Sequence, residues 1–299
     1  MTLPINQIIC GDNVETLPRK EIDMIVKKTG RASAPIKWHG GKFYLASRIV
    51  EMIPDHIHYV EPFFGGGAVL FRKHEQLTES HSEVVNDVFG ELVNFWKVLQ
   101  SREDFPEFER RIAVTPFAKP VWEAALRCES ADSIDRAVAF FVTYRQSRQG
   151  LGRDFATMSR SRTRRGMNEQ VSSWLSAIDG LYEAHERLSR VAIFCDDAVD
   201  VIQREDSPTT FFYCDPPYLA NTRVAKSAYA CEMTNEDHDR LLKTLGGLQG
   251  KFLLSGYMNE LYQVAAERFG WNRIDITIDN KASSQKTKPR KIECLWSNY

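Results

Sequence analysis

The chain has 299 residues, enough for one large or two unequal domains. It is 43% apolar and 26% charged with a net charge of −1. That balance excludes a globally basic nucleic-acid binder and confines any such surface to a local patch. No apolar run reaches the ~18–20 residues of a bilayer span, and no basic-then-apolar leader opens the chain. Cys10, Cys128, Cys195, Cys214, Cys231 and Cys294 are scattered without a C-x-x-C pair, which argues against zinc and against a disulfide framework. A reduced cytoplasmic protein without metal or membrane partner is expected.

In chain order, residues 1–34 read as an appendage: a strand and turn at Ile8–Asp12, a short helix from Val14 to Ile25, then a link from Gly30 to Ala34. Lys37-Trp38-His39-Gly40-Gly41-Lys42 follows. Paired glycines let the backbone approach a ligand, Trp38 offers a flat face, and Lys37 and Lys42 offer cations. A loop around a buried Trp is the alternative. A helix is expected from Tyr44 to Met52.

His58–Glu61 reads as a strand, Pro62-Phe63-Phe64-Gly65-Gly66-Gly67 as the turn after it, and Ala68–Lys73 as a helix. Strand, glycine turn and helix open a nucleotide-binding sheet, but the spacing is not G-x-G-x-x-G and no P-loop Lys-Ser/Thr follows. A second strand, Glu83–Asn86, ends at Asp87, about twenty residues on, where an acid can take the ribose hydroxyls of an adenosine cofactor. Asp87 can equally cap the helix Phe89–Leu99, and the two roles are compatible.

From Ser101 to Arg190 the strand–turn–helix rhythm gives way to helices at Phe105–Val114, Pro120–Cys128, Ile134–Tyr144 and Ser172–Arg187. Residues 144–166 hold Arg145, Arg148, Arg153, Arg160, Arg162, Arg164 and Arg165 against one acid, Asp154. Gln, Ser and Thr are interleaved, side chains that complement Arg on phosphates and base edges. This is a candidate DNA surface; a solvated basic loop is the alternative.

Val191–Cys195 resumes the sheet and ends at Asp196-Asp197, where Asp197 is placed either to bond a cofactor adenine or to cap the helix Val199–Arg204. Thr210-Phe211-Phe212-Tyr213-Cys214 is a buried strand halted by Pro216 and Pro217. Asp215, two rigid carbonyls and Tyr218 are therefore presented together at a strand's carboxyl end, where open α/β sheets bind ligands. Asp-Pro-Pro-Tyr so placed is similar to the signature of enzymes that methylate exocyclic amino groups; a surface turn is the plainer alternative. Ala220–Ala230 reads as a loop able to close on a substrate. Helices at Asp237–Leu248 and Leu261–Phe269 flank a strand at Lys251–Ser255, and Ile274–Ile278 pairs with Ile292–Asn298 as a closing hairpin. Between those strands, Lys286 and Lys288 sit in a second basic loop that either holds DNA backbone or is only flexible.

Taken together, Lys-Trp-x-Gly-Gly-Lys, Val-Glu-Pro-Phe-Phe-Gly-Gly-Gly, Asn-Asp and Asp-Pro-Pro-Tyr, in that order, resemble the Dam-type DNA adenine-N6 methyltransferase family across residues 35–299. The resemblance implies an α/β fold: a Rossmann-like sheet with helices on both faces, built from 35–100 and 191–299, with 101–190 as a helical target-recognition insertion. It implies S-adenosylmethionine held at Trp38, Lys42, Glu61, Phe63, Gly65, Gly67, Asp87, Asp197 and Asp215, and catalysis by Asp215, Pro216, Pro217 and Tyr218, the Tyr218 ring stacking on an extruded adenine. The partner implied is double-stranded DNA; from the two basic stretches, Arg145, Arg148, Arg153, Arg162, Arg164, Arg165, Lys286 and Lys288 are expected to contact it, and a monomer is the default expectation. The insertion is more similar to that of phage and prophage members than to the GATC-reading loop. A catalytically silent DNA-binding protein on the same fold, or methylation of cytosine N4 or RNA, are the competing readings; Asp rather than Ser at position 215 favours adenine.

Overall fold

The computed structural model describes residues 32–73, 82–156, 161–219, 222, 231–279 and 290–299. The expected elements at 8–25, the loop at 220–230 (Thr222 apart) and the basic loop with Lys286 and Lys288 lie outside them. The strands are β1 (His58–Glu61), β2 (Ser82–Asn86), a small hairpin β3 (Thr163–Arg164) and β4 (Met167–Asn168), then β5 (Ala192–Phe194), β6 (Thr210–Cys214), β7 (Lys251–Gly256), β8 (Asn272–Asp279) and β9 (Arg290–Ser297). The helices are α1 (Ala46–Glu51), α2 (Ala68–Lys73), α3 (Gly90–Gln100), α4 (Phe105–Ala113), α5 (Lys119–Ala125), α6 (Ser133–Arg145), α7 (Glu169–Asp179), α8 (Leu181–Leu188), α9 (Ala198–Arg204), α10 (Asn235–Gly246) and α11 (Glu260–Phe269).

Seven strands form one sheet in the order β5-β2-β1-β6-β7-β9-β8, parallel from β5 to β7, with β9 antiparallel to both its neighbours. Side chains alternate across a strand, and the two hydrophobic layers divide accordingly. Tyr59, Val85, Phe211, Tyr213 and Leu253 face one core. Val60, Val84, Phe212, Cys214, Phe252 and Leu254 face the other. Every residue of β6 is buried, as a strand covered on both faces requires.

The second core is covered by α9, α10 and α11, whose starts are set by local side-chain caps: Asp197 for α9, a Thr234–Asp237 capping box for α10 and Asn259 for α11. On the other face, Phe108, Phe141, Trp174, Leu181 and Leu188 from the helical stretch 105–188 join the same cluster as Trp96 and the sheet residues Tyr59 and Phe211. The apolar layer is thus continuous across the expected boundaries near residues 100 and 190. The single helix expected at Ser172–Arg187 is two, α7 and α8, which meet at Gly180. Gly there interrupts an apolar spacing that otherwise runs on. The described residues of the arginine-rich stretch, among which Arg160 does not fall, include a 3-10 turn at Arg148–Gly150, an antiparallel bridge from Ser147 to Phe155, and the β3–β4 hairpin.

Beneath the sheet lies a buried charge cluster. Arg187 donates to both oxygens of Glu83, at 2.6 and 2.9 Å, and the Lys73 ammonium reaches the same carboxylate at 3.2 Å while lying over the Tyr59 ring. Burial pushes the Glu83 carboxyl up, but Arg187 and Lys73 outweigh it and hold it below its ordinary value.

Candidate active site

Strand order reverses between β1 and β6, and their register aligns Val60 with Phe212. Glu61-Pro62 and Cys214-Asp215 therefore leave the sheet side by side at its carboxyl edge, the ligand-binding crevice of open α/β sheets. A cavity of about 550 Å³ opens there, lined in part by Trp38, Lys42, Glu61, Gly65, Asp87 and Asp215. Phe63, Gly67, Arg153, Asp197, Pro216 and Pro217 also line it. Residues spread over a hundred and more sequence positions thus meet at one wall.

The glycine turn and Trp38 explain each other. Gly65 and Gly67 have φ of +49° and +70°, in the left-handed region that disfavours side chains. A Cβ at Gly65 would stand 2.7 Å from the Trp38 indole nitrogen, and one at Gly66 would stand 2.5 Å from the Trp38 Cβ. The bare turn is the seat of the indole, which is flanked by Phe89, Phe140 and Tyr144. Trp96 donates to the Gly65 carbonyl from below.

Asp87 accepts from the backbone N–H of Gly65 at 2.9 Å and of Phe89 at 3.0 Å, so one carboxylate ties the glycine turn to the start of α3. Burial raises its pKa and these backbone donors oppose the rise. Next to it, Asn86 donates to the carbonyls of Pro62 and Asp196, linking the loops after β1 and β5. Asp197 caps α9 through Val199 and Asp200 and pairs with Arg240. The capping alternative is present at Asp197, on a side chain that also faces the cavity.

Glu61 is 2% exposed and accepts from the Tyr59 hydroxyl at 2.6 Å. No cation among the described residues hydrogen-bonds it, and burial pushes its carboxyl up to about 8. A buried acid aimed into a cavity without a bonded counter-charge fits a positively charged ligand.

Asp215 sits against Lys42, 2.6 Å from the ammonium, yet stays partly exposed at the cavity wall. Lys42 is itself buried. Burial would lower its pKa, but Asp215 and then Glu293 hold it charged, well above its ordinary value. The ammonium reaches the Gly40 carbonyl at 3.3 Å and Glu293 at 3.5 Å, and lies 4.7 Å from the Tyr218 ring centroid. Tyr218 is 7% exposed, donates its hydroxyl to Glu293 and meets Tyr257 edge-on. Its ring is thus engaged on one face by Lys42. Glu293 was missed in the sequence. It belongs to a strand that runs antiparallel, so its early residues, not its last, lie at the carboxyl edge. The hairpin assignment held the only signal for this.

The basic residues divide. Arg145 is turned inward, bonding the Ser173 carbonyl and hydroxyl, and burial lowers its pKa to about 10. Arg148 is exposed and pairs with Asp154 at 3.2 Å; Arg153 is exposed and lines the cavity. Arg162, Arg164 and Arg165 are exposed on the β3–β4 hairpin, with Arg165 braced on Ser172.

A doubly wound sheet, a glycine turn after its first strand and an Asp-Pro-Pro-Tyr end on the adjacent strand are the arrangement of an α/β methyltransferase. Residues 38–277 match the D12 class N6 adenine-specific DNA methyltransferases, and the chain belongs to that family. It is similar to the DNA N-6-adenine-methyltransferase of Escherichia phage P1, 29% identical over 70% of this chain and 27% of that protein. It therefore spans about a quarter of that relative's length. It is also similar to the type II methyltransferase M.MjaIII of Methanocaldococcus jannaschii, 24% identical over 88% of this chain and 98% of that protein. The DNA adenine methylase of Escherichia coli K12 is 25% identical over 71% of this chain and 75% of its own length.

Proposed function

We propose that this protein methylates N6 of an adenine extruded from duplex DNA, with Asp215 gripping the amino group. The observation that carries the reading is the pairing of two acids at adjoining strand ends: Glu61 buried and without a hydrogen-bonded cation among the described residues, Asp215 charge-compensated and open to the cavity. S-adenosylmethionine supplies an electrophilic methyl on a sulfonium and also carries an ammonium. Glu61 is suited to such a cation, the Gly65–Gly67 turn and Trp38 to the body of the ligand, and Asp87 to a hydroxyl at a further lone pair.

The adenine amino nitrogen is a poor nucleophile because its lone pair is delocalised into the ring. Asp215 and the Pro216 carbonyl are two acceptors for its hydrogens, and engaging them directs the lone pair toward the methyl. The same acceptors offset positive charge that develops on nitrogen; once methylated, the nitrogen sheds one of these hydrogens as a proton to Asp215 and on to solvent, and the donor is left as a neutral thioether. In a duplex this atom is shielded, so the base must leave the stack at a cost of a few kcal/mol. Arg148, Arg153, Arg162, Arg164 and Arg165 are the surface we assign to the DNA backbone; Arg145, turned inward, holds α6 to α7 instead.

The test is transfer of labelled methyl from S-adenosylmethionine to duplex DNA by the purified protein, followed by nucleoside analysis. N6-methyladenine is the expected product. N4-methylcytosine, or label incorporated only into RNA, would replace the reading. Donor binding without transfer to any nucleic acid would favour the silent binding protein.

A further inference from the structure

Glu293 is 1% exposed and does not line the cavity, yet it makes two of the contacts that shape the catalytic corner. One oxygen, Oε1, accepts the Tyr218 hydroxyl and lies 3.5 Å from the Lys42 ammonium, which is 2.6 Å from Asp215. One ammonium is thus shared between two carboxylates, and one of those carboxylates also fixes the aromatic end of Asp-Pro-Pro-Tyr. A lysine paired with Asp215 alone would draw negative charge from the oxygens that must accept amino hydrogens. A second acid on the same lysine divides that pull.

Resting on the function proposed above, we propose that Glu293 is a positioning residue for methyl transfer. By sharing Lys42 with Asp215 and anchoring the Tyr218 hydroxyl, it sets how strongly Asp215 accepts the adenine amino hydrogens. The placement follows from topology: Cys294 is in register with Gly256 at the end of β7, so Glu293 stands one residue past that parallel strand, level with Pro217 beyond β6 and next to the Tyr218 it holds.

Five other titratable groups feel the Asp215 charge: Glu61, Tyr44, Tyr213, Cys214 and Tyr262. Burial raises the three tyrosines and the cysteine, which keeps them neutral through the working range. Glu61 does titrate there, so the profile is read as kcat at saturating cofactor. Its acid limb reports the Asp215–Lys42–Glu293 cluster as a set.

Glu293→Gln keeps the shape and an acceptor for Tyr218 but removes the charge. The acid limb of kcat should move down by about one pH unit, and kcat on the plateau should fall roughly tenfold. Affinity for S-adenosylmethionine, measured by calorimetry, should stay within about twofold. Tyr218→Phe frees Glu293 for Lys42 and should move the limb the opposite way, to higher pH. Glu293→Asp should restore most of the wild-type limb. If Glu293→Gln does not fold, the opposed shift in Tyr218→Phe carries the test. Limbs that stay in place, or that move the same way in every variant that folds, overturn the inference. Wild-type protein that transfers no methyl would instead sink the function it rests on, so the two failures are distinguishable.

Discussion

Cofactor binding should be coupled to the proton on Glu61. With its carboxyl pushed up to about 8 by burial, roughly 1% of the free protein carries the charge at pH 6 and about a quarter at pH 7.5. If the ionised form is what receives the ligand's positive group, the apparent Kd should tighten about twentyfold between those pH values. The window closes near pH 8, because an α-ammonium itself deprotonates at about 7.7–8.0. Titration calorimetry in buffers of different ionisation enthalpy should show close to one proton released per cofactor bound at about pH 7. The same acid opposes folding. Its folded pKa exceeds its ordinary 4.5, so above that value the unfolded chain ionises first, and stability should fall as pH rises from about 5 to 8. Cofactor should restore part of that loss. Glu61→Gln should weaken binding, flatten its pH dependence and abolish proton release. A Kd that is flat from pH 6 to 7.5, with no proton exchanged, would refute the assignment of Glu61 to the cation.

Asp215→Ala should lower methyl transfer by at least about 10²–10³-fold while duplex affinity, read by fluorescence anisotropy, stays near wild type. Loss of both together would make Asp215 a structural residue. Arg164→Ala, on the exposed hairpin, should reduce the slope of log affinity against log salt by about 0.9. Arg145→Ala should leave that slope unchanged and lower the urea midpoint instead; the reverse pattern would return Arg145 to the DNA surface. Glu83→Gln leaves Arg187 and Lys73 buried without their anion, and should cost about 3–5 kcal/mol in chemical denaturation. A cost below about 1 kcal/mol would mean that water reaches the cluster.

The chain alone determined the elements whose causes are local. β1 and β6 are short apolar runs bounded by breakers, and the glycines after β1 sit where the backbone must take positive φ. Pro216 and Pro217 ended β6 at Asp215, and the cap at Asp197 needed only its own next turn. Four motifs in order also carried the family resemblance. Tertiary structure decided what depends on which strands become neighbours. Trp38 covers the glycine turn because bare backbone there leaves room for an indole from a distant loop. The helices of residues 105–188 join the sheet's own apolar layer because α3 presents one continuous face to both. Arg145 turned inward while Arg164 stayed exposed, a choice made by the packing of α6 against α7 and invisible in a run of similar arginines. Glu293 reached Lys42 and Tyr218 only because β9 runs against the sheet, which brings its early residues to the edge where the parallel strands end. Local propensity acts over a few residues, whereas a shared ammonium needs three segments folded together.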